Sequence, residues 1–225
     1  MRFCVTINQS DEKRRVIIMK QKTNYGLWLD KKIEEIKASG KRPKLLLHAC
    51  CAPCSSYVLG YLSEFFDITL YFYNPNISPA EENDFRAEEL RRLCSEMPLP
   101  RVPEIIVEEY EPKAFYEAVK GMEHLPEGEA RCAVCYRLRL KKTAEKAREL
   151  GFDYFTTTLT ISPYKRSDWL NAIGGKLADK YGVAYLFSDF KKKNGYKISC
   201  ELSREYNLYR QDYCGCEFSK IKAEE

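Results

Sequence analysis

The feature that most constrains the fold is a regular alternation of short apolar runs with longer amphipathic stretches. Apolar runs that end at a turn signal favour buried strands, and leucine and alanine at helical spacing favour helices. The predicted strands cover residues 44–49, 67–73, 104–107, 154–160 and 184–187, and the predicted helices cover residues 55–64, 79–97, 112–120, 135–150 and 167–181. This alternation predicts an α/β fold with a doubly wound, mostly parallel sheet and right-handed crossovers.

The domain organisation follows from length. A chain of 225 residues can bury one substantial core, so we expect a single domain, 1–225. Its core is predicted at 41–190, with an N-terminal extension, 1–40, and a cysteine-bearing C-terminal extension, 191–225, packed around it. The N-terminus lacks the apolar segment of a signal peptide, and later apolar runs are too short to span a bilayer. We therefore expect a cytoplasmic protein without membrane contact.

Seven of the ten cysteines form three tight groups, at Cys50-Cys51-Ala-Pro-Cys54, Cys132-Ala-Val-Cys135 and Cys214-Gly-Cys216. Reduced thiols are expected in a cytoplasmic chain, so these groups indicate a metal or redox centre instead of disulfide staples. The first group follows the first predicted strand. In a parallel sheet this strand end adjoins the segment 156–163 after the fourth strand, which predicts one shared crevice.

Two cysteine pairs converging from separate elements suit either tetrahedral zinc or a four-iron cluster. The adjacent Cys50 and Cys51 make a poor zinc knuckle, so the pattern favours iron and sulfur. The predicted ligands are Cys50, Cys51, Cys132 and Cys135, and Cys54 could replace Cys51.

The third group has different chemistry. Cys214 and Cys216, separated by one glycine, could close a strained and easily reduced disulfide, or could hold a second, mononuclear metal. The alternative is that both are exposed thiols of the C-terminal tail without a role in metal or redox chemistry. Cys94 lies on a predicted amphipathic helix and is interpreted as core packing, and His48 is interpreted as a core histidine.

The net charge is only +4, but basic residues are grouped along the chain, which keeps a phosphate-rich partner plausible. Charged residues make up 31% of the chain, which also suits surface stabilisation in a hot environment.

Five segments carry a family resemblance: Leu47-His-Ala-Cys-Cys-Ala-Pro-Cys-Ser55, Tyr73-Asn-Pro-Asn-Ile77, Arg131-Cys-Ala-Val-Cys-Tyr-Arg137, Thr157-Thr-Leu-Thr-Ile-Ser-Pro163 and Tyr209-Arg-Gln-Asp-Tyr-Cys-Gly-Cys216. Together they closely resemble the epoxyqueuosine reductase family QueH, across about residues 44 to 218. The resemblance implies an oxidoreductase that reduces epoxyqueuosine in tRNA to queuosine, independently of cobalamin. It also implies the adenine nucleotide alpha hydrolase (HUP-like) fold and a [4Fe-4S] cluster on Cys50, Cys51, Cys132 and Cys135, with Cys214 and Cys216 as the redox-active pair.

Removing the epoxide oxygen as water takes two electrons and two protons, so an electron donor protein or small reductant is expected. The candidate proton donors are Tyr136, Tyr164, Asp212 and Tyr213. A base splayed out of the RNA would need aromatic stacking and phosphate contacts. The candidates for stacking are Tyr73, Tyr164 and Trp169, and those for phosphate are Arg137, Lys165 and Arg166.

Three other functions compete. A thioredoxin-like enzyme has no use for a second distant pair of cysteines. A tRNA sulfur-transfer enzyme would need a glycine-rich ATP loop, which residues 50–56 do not provide. A zinc- or cluster-stabilised tRNA-binding module would need no Cys214 and Cys216.

Overall fold

The structure is a computed structural model, and it describes residues 23–222. The strands are β1 (Lys44–His48), β2 (Asp67–Phe72), β3 (Glu104–Val107), β4 (Tyr154–Thr157) and β5 (Ala184–Tyr185). The helices are α1 (Tyr25–Ser39), α2 (Ala52–Leu62), α3 (Ala80–Glu96), α4 (Pro112–Val119), α5 (Ala130–Glu149), α6 (Ser167–Tyr181) and α7 (Gly195–Glu205), with 3₁₀ helices at Thr158–Ile161 and Glu217–Lys222. Cys4, the basic group 13–15 and most of the predicted N-terminal extension lie outside the described residues.

The five strands form one sheet in the order β3-β2-β1-β4-β5, and every neighbouring pair is parallel. The chain runs outward from β1 to β3 and then returns to the other side of β1 with β4. The predicted doubly wound α/β fold is confirmed. In such a sheet the crevice for a ligand lies beyond the carboxyl ends of β1 and β4, where the order reverses.

The apolar sequence of β1 explains why helices cover both faces of the sheet. Leu45 and Leu47 belong to one core cluster, together with residues of α1, α2 and α3. Leu46 belongs to a second cluster, with residues of α5 and α6. Because successive side chains of a strand point to opposite faces, three consecutive leucines serve both layers. Cys94 is buried in the first cluster, so its interpretation as core packing is confirmed.

Three predicted boundaries are wrong, and each affects the cysteines or the crevice. Helix α2 begins at Ala52, with Pro53 in its first turn, so Cys54 is helical. Helix α5 begins at Ala130 and not at Cys135, which puts both of its cysteines in the first two turns. Strand β4 ends at Thr157, whose hydroxyl accepts the Leu159 N–H and starts a 3₁₀ turn. Local hydrogen bonds of this kind end a strand that β propensity alone would extend.

None of the helices between residues 23 and 222 combines the length and apolar composition that a membrane crossing requires.

The contact between α6 and β5 makes a testable prediction about stability. A Cβ at Gly174 would overlap the ring of Tyr185, so Gly174→Ala is expected to lower the free energy of unfolding by about 1–3 kcal/mol despite the better helix propensity of alanine. The matched control is Gly60→Ala on α2, where the nearest atom to the new Cβ is the Met97 methyl at 3.8 Å. That change should be neutral or stabilising by up to about 1 kcal/mol. Urea unfolding measures both, and equal effects would contradict this account.

Candidate active site

The loop between β1 and α2 gathers three thiols at the carboxyl end of the sheet. The sulfur atoms of Cys50, Cys51 and Cys54 all lie within 4.8 Å of one another, and those of Cys50 and Cys51 are 3.6 Å apart. The second distance is close to the separation of about 3.8 Å between two thiolates on one tetrahedral metal ion. Buried sulfur donors this close together fit a thiophilic metal centre.

The second and third cysteine groups meet in a separate small cavity of about 20 Å³, lined by Cys132, Cys135, Cys214 and Cys216 among others. Cys132 also belongs to the same apolar cluster as Cys50 and Cys51, so this small cavity lies next to the first cysteine group. The fold therefore places all seven of the grouped cysteines near this edge of the sheet. Cys214 and Cys216 are free thiols.

Gly215 allows the tail to turn between its two thiols. Its φ of 94° lies in the left-handed region that favours glycine, and a Cβ there would stand 2.9 Å from both Arg86 Nη1 and Ile77 Cγ1. The Ser78 N–H donates to the Gly215 carbonyl at 2.9 Å, which ties the tail to the loop after β2. Any other residue at this position would push Cys214 away from the crevice.

Three buried arginines adjoin the cysteines, and sequence reasoning missed all of them. Arg131 donates from Nη1 to the Cys216 sulfur at 2.8 Å. Arg86 pairs with Glu82 at 2.7 Å, and its Nη2 has no hydrogen-bond partner among the described residues. Arg139 lies 4.0 Å from the Cys135 sulfur. The available signal was helical spacing, because Arg139 follows Cys135 by one turn on the apolar face of α5.

Hydrogen bonds between neighbouring thiols shift the pKa values of these cysteines. The hydrogen bond from Cys51, followed by that from Cys54, lowers the pKa of Cys50 well below the usual thiol range. The pKa of Cys51 rises to about 12 because this thiol donates to Cys50. In the tail, a hydrogen bond from Cys216 lowers the pKa of Cys214, and the nearby Lys165 ammonium adds to the effect. Each group thus favours one thiolate, the form that binds metals and transfers electrons.

The main crevice has a volume of about 390 Å³ and opens beside the first cysteine group. This volume suits a ligand of nucleoside size. Three of the four predicted proton donors, Tyr164, Asp212 and Tyr213, line it together with Cys50 and Cys214. Tyr136 lines the small cavity instead, and its hydroxyl has no hydrogen-bond partner within the described chain.

The residues proposed for RNA binding differ in their exposure and in the side chains that cover them. Tyr164 is 73% exposed at the crevice, whereas Tyr73 is buried. Trp169 is covered by the Arg166 guanidinium, 4.4 Å from its ring centre. Lys165 turns inward, pairs with Glu127 at 3.4 Å and lines both cavities.

The crevice has further aromatic and basic residues that sequence reasoning missed. Tyr196 and Arg210 also line it, and the Arg210 guanidinium lies 5.7 Å from the Tyr196 ring centre. The aromatic and basic lining of the crevice therefore includes Tyr196 and Arg210 as well as Tyr164, Tyr213 and Lys165.

His48 is fully buried, and both of its ring nitrogens are hydrogen-bonded, so its interpretation as a core histidine is confirmed. Arg139 Nε lies 3.3 Å from His48 Nε2, and the same ring nitrogen lies 3.2 Å from the Tyr73 carbonyl oxygen. The other ring nitrogen, Nδ1, is hydrogen-bonded to Thr157 Oγ1 at 2.9 Å. Burial and the charge of Arg139 lower the pKa of His48 to about 3.

The fold and the site define a class of protein: an oxidoreductase in which a doubly wound sheet presents thiols where related sheets bind phosphate. A sequence model of the family "Epoxyqueuosine reductase QueH" matches residues 45–222. The chain belongs to this family, which confirms the resemblance carried by the cysteine motifs.

Curated relatives of the same name are similar over most of the chain. The protein from Streptococcus pyogenes serotype M1 is 45% identical over 201 residues, which cover 88% of this chain and 79% of that relative. The one from Staphylococcus epidermidis is 42% identical over 206 residues, 90% of this chain and 87% of the relative. The one from Thermotoga maritima is 38% identical over 182 residues, 80% of this chain and 92% of the relative.

The environment of His48 predicts how stability depends on pH. An unfolded histidine takes up a proton near pH 6.5, whereas His48 in the folded protein stays neutral until about pH 3. Its contribution to stability is therefore fully present above pH 6.5 and is lost as the pH falls from 6.5 toward 3, by up to about 1.4 kcal/mol per pH unit.

Urea unfolding between pH 7 and 5 tests this slope, and ¹⁵N NMR of the imidazole should show a neutral ring throughout. His48→Gln is expected to flatten the slope. His124→Gln, at an exposed position, should leave it unchanged. A His48 ring that is protonated in the folded protein at pH 5 would contradict the prediction.

Proposed function

We propose that this chain catalyses the two-electron reductive deoxygenation of epoxyqueuosine in tRNA to queuosine. The observation that carries the proposal is the convergence of three buried thiols beside a crevice of nucleoside size, in a chain of this family. The tRNA substrate and a cytoplasmic location follow from the activity and are part of the proposal.

The proposed cofactor is a [4Fe-4S] cluster held by Cys50, Cys51, Cys132 and Cys135. A bound cluster would supply electrons to the substrate one at a time. The place of Cys132 in the same apolar cluster as Cys50 and Cys51 supports this set, and the closeness of the Cys54 sulfur supports Cys54 as a competing ligand. The cavity shared by Cys214 and Cys216 with the helix α5 pair is the proposed place for a mononuclear metal, if one is bound.

Residues of this chain would supply the electrons and protons that the reaction consumes. Oxidation of the Cys214 and Cys216 dithiol to a disulfide releases two electrons and two protons, which equals what conversion of the epoxide to an alkene and water consumes. An external protein or small reductant must then restore the dithiol. Tyr164, Asp212 and Tyr213 are the proposed proton donors at the crevice, and Tyr136 is the proposed donor on the side of the tail thiols.

The proposed RNA contacts are at the mouth of the crevice. Tyr164 and Tyr196 offer aromatic faces for a splayed-out base, and Arg210 offers a charge for an adjacent phosphate. Binding of tRNA should weaken as salt rises, because phosphate contacts release counterions.

The assay is anaerobic incubation of iron-loaded protein with epoxyqueuosine-bearing tRNA and a strong reductant, followed by nucleoside mass analysis. The wild-type chain should form queuosine, and Cys214→Ser should reduce turnover at least about a hundredfold because the dithiol can no longer close. Cys94→Ala, which removes a buried core thiol away from both cavities, is the matched control and should retain activity. A colourless, zinc-bearing protein without turnover would instead support a tRNA-binding module.

The ligand set makes a second prediction with a different readout. Iron content and visible absorption after anaerobic reconstitution should fall sharply in Cys135→Ser and stay near the wild-type level in Cys54→Ser. The physical reason is that a thiolate ligand cannot be replaced by a hydroxyl without loss of affinity for iron. A sharp loss of iron in Cys54→Ser would instead make Cys54 a ligand in place of Cys51.

A further inference from the structure

Arg139 is buried without an acidic partner. It belongs to the buried face of α5, and the residue is 3% exposed. Within residues 23–222 it contacts His48, Asn74 and the sulfur of Cys135, none of which has a carboxylate. The buried Arg86 provides the contrast, because Glu82 balances its charge at 2.7 Å.

The guanidinium of Arg139 is held in one orientation. Nε donates to His48 at the end of β1, and Nη2 donates to Asn74 Oδ1 just beyond β2. His48 is anchored in turn by Thr157 on β4, and Asn74 by the Ala49 carbonyl at 3.0 Å. The carboxyl ends of three neighbouring strands thus fix this cation, and little freedom remains for it to turn toward solvent.

Arg139 lies between the two thiol groups. It is part of the lining both of the main crevice, with Cys50, Cys51 and Cys54, and of the small cavity with Cys132 and Cys135. Its Nη1 lies 4.0 Å from the Cys135 sulfur. A single guanidinium therefore acts on thiols from both elements.

An isolated buried charge costs several kcal/mol unless an opposite charge compensates it. The Cys135 sulfur, 4.0 Å away, supplies negative charge when it is a thiolate, as would a metal centre held by these cysteines. We propose that Arg139 is a positioning residue that supplies the counter-charge of the metal–thiolate centre and so raises its reduction potential. This inference rests on the proposed function, because it requires an iron centre on these cysteines.

The sign follows from electrostatics. Reduction adds a negative charge to the centre, and a fixed cation nearby stabilises the reduced state more than the oxidised state. Removing the cation must therefore make the centre harder to reduce. His48 and Asn74 set the distance at which the charge acts, so the effect depends on position as well as on charge.

The test is an anaerobic redox titration of reconstituted protein, followed by electron paramagnetic resonance, with iron content measured on the same samples. Arg139→Gln is expected to lower the midpoint potential by at least about 59 mV, which is a tenfold shift in a one-electron equilibrium. Arg139→Lys keeps the charge and should recover more than half of that loss. The matched control is Arg148→Gln, on the exposed side of the same helix, which should leave the potential unchanged.

A second variant keeps the inference testable if Arg139→Gln does not fold. Asn74→Asp keeps the shape of the side chain and sets a carboxylate against the guanidinium, so it should also lower the potential. An unchanged potential in Arg139→Gln, or equal losses in the glutamine and lysine variants, would overturn the role of the charge while leaving the reductase proposal intact. A wild-type chain that binds no iron under reconstitution would overturn both.

Discussion

The buried contact of Arg139 with His48 and Asn74 is the interaction on which the site depends. Parallel strands align their carboxyl ends, but α5 has to be joined to that edge before its cysteines can meet those of the loop after β1. Arg139 makes this connection, because one guanidinium hydrogen-bonds to the ends of two strands and reaches the sulfur of Cys135. Apolar packing of α5 sets its distance from the sheet, and this polar contact sets its rotation.

The grouping of thiols into two adjoining cavities has a chemical consequence. Cys50, Cys51, Cys54 and Cys214 line a crevice large enough for a nucleoside, whereas Cys132, Cys135, Cys214 and Cys216 line a cavity of about 20 Å³ that excludes it. This arrangement supports the proposal that substrate approaches the first group while the tail thiols exchange electrons beside it. Cys214 lines both cavities, so its side chain lies at the boundary between them. Gly215 makes this placement feasible, since no larger residue fits against Arg86 and Ile77.

The parts of the fold that could be predicted are those that local patterns control. Leu45, Leu46 and Leu47 indicate a strand buried on both faces, and that is enough to place helices on each side of a parallel sheet. The start of α5 could not be predicted, because residues 124–129 have the glycine and proline of a loop and Cys132 follows without a capping side chain. Helix α5 begins there through its packing against α4 and α6, which propensity does not report.

The sequence by itself determined the three cysteine groups on which the proposed chemistry rests, their order and the family they define. It did so because thiols at these spacings have few other uses in a chain with an ordinary core. Only the tertiary structure decided which thiols share a cavity, that Lys165 turns inward to Glu127, and that Arg139 lies buried without an acid. The reason is physical. Spacing along a chain limits a residue's neighbours only within a turn or two, whereas charge compensation and burial depend on elements that are about a hundred residues apart, as His48 and Thr157 are.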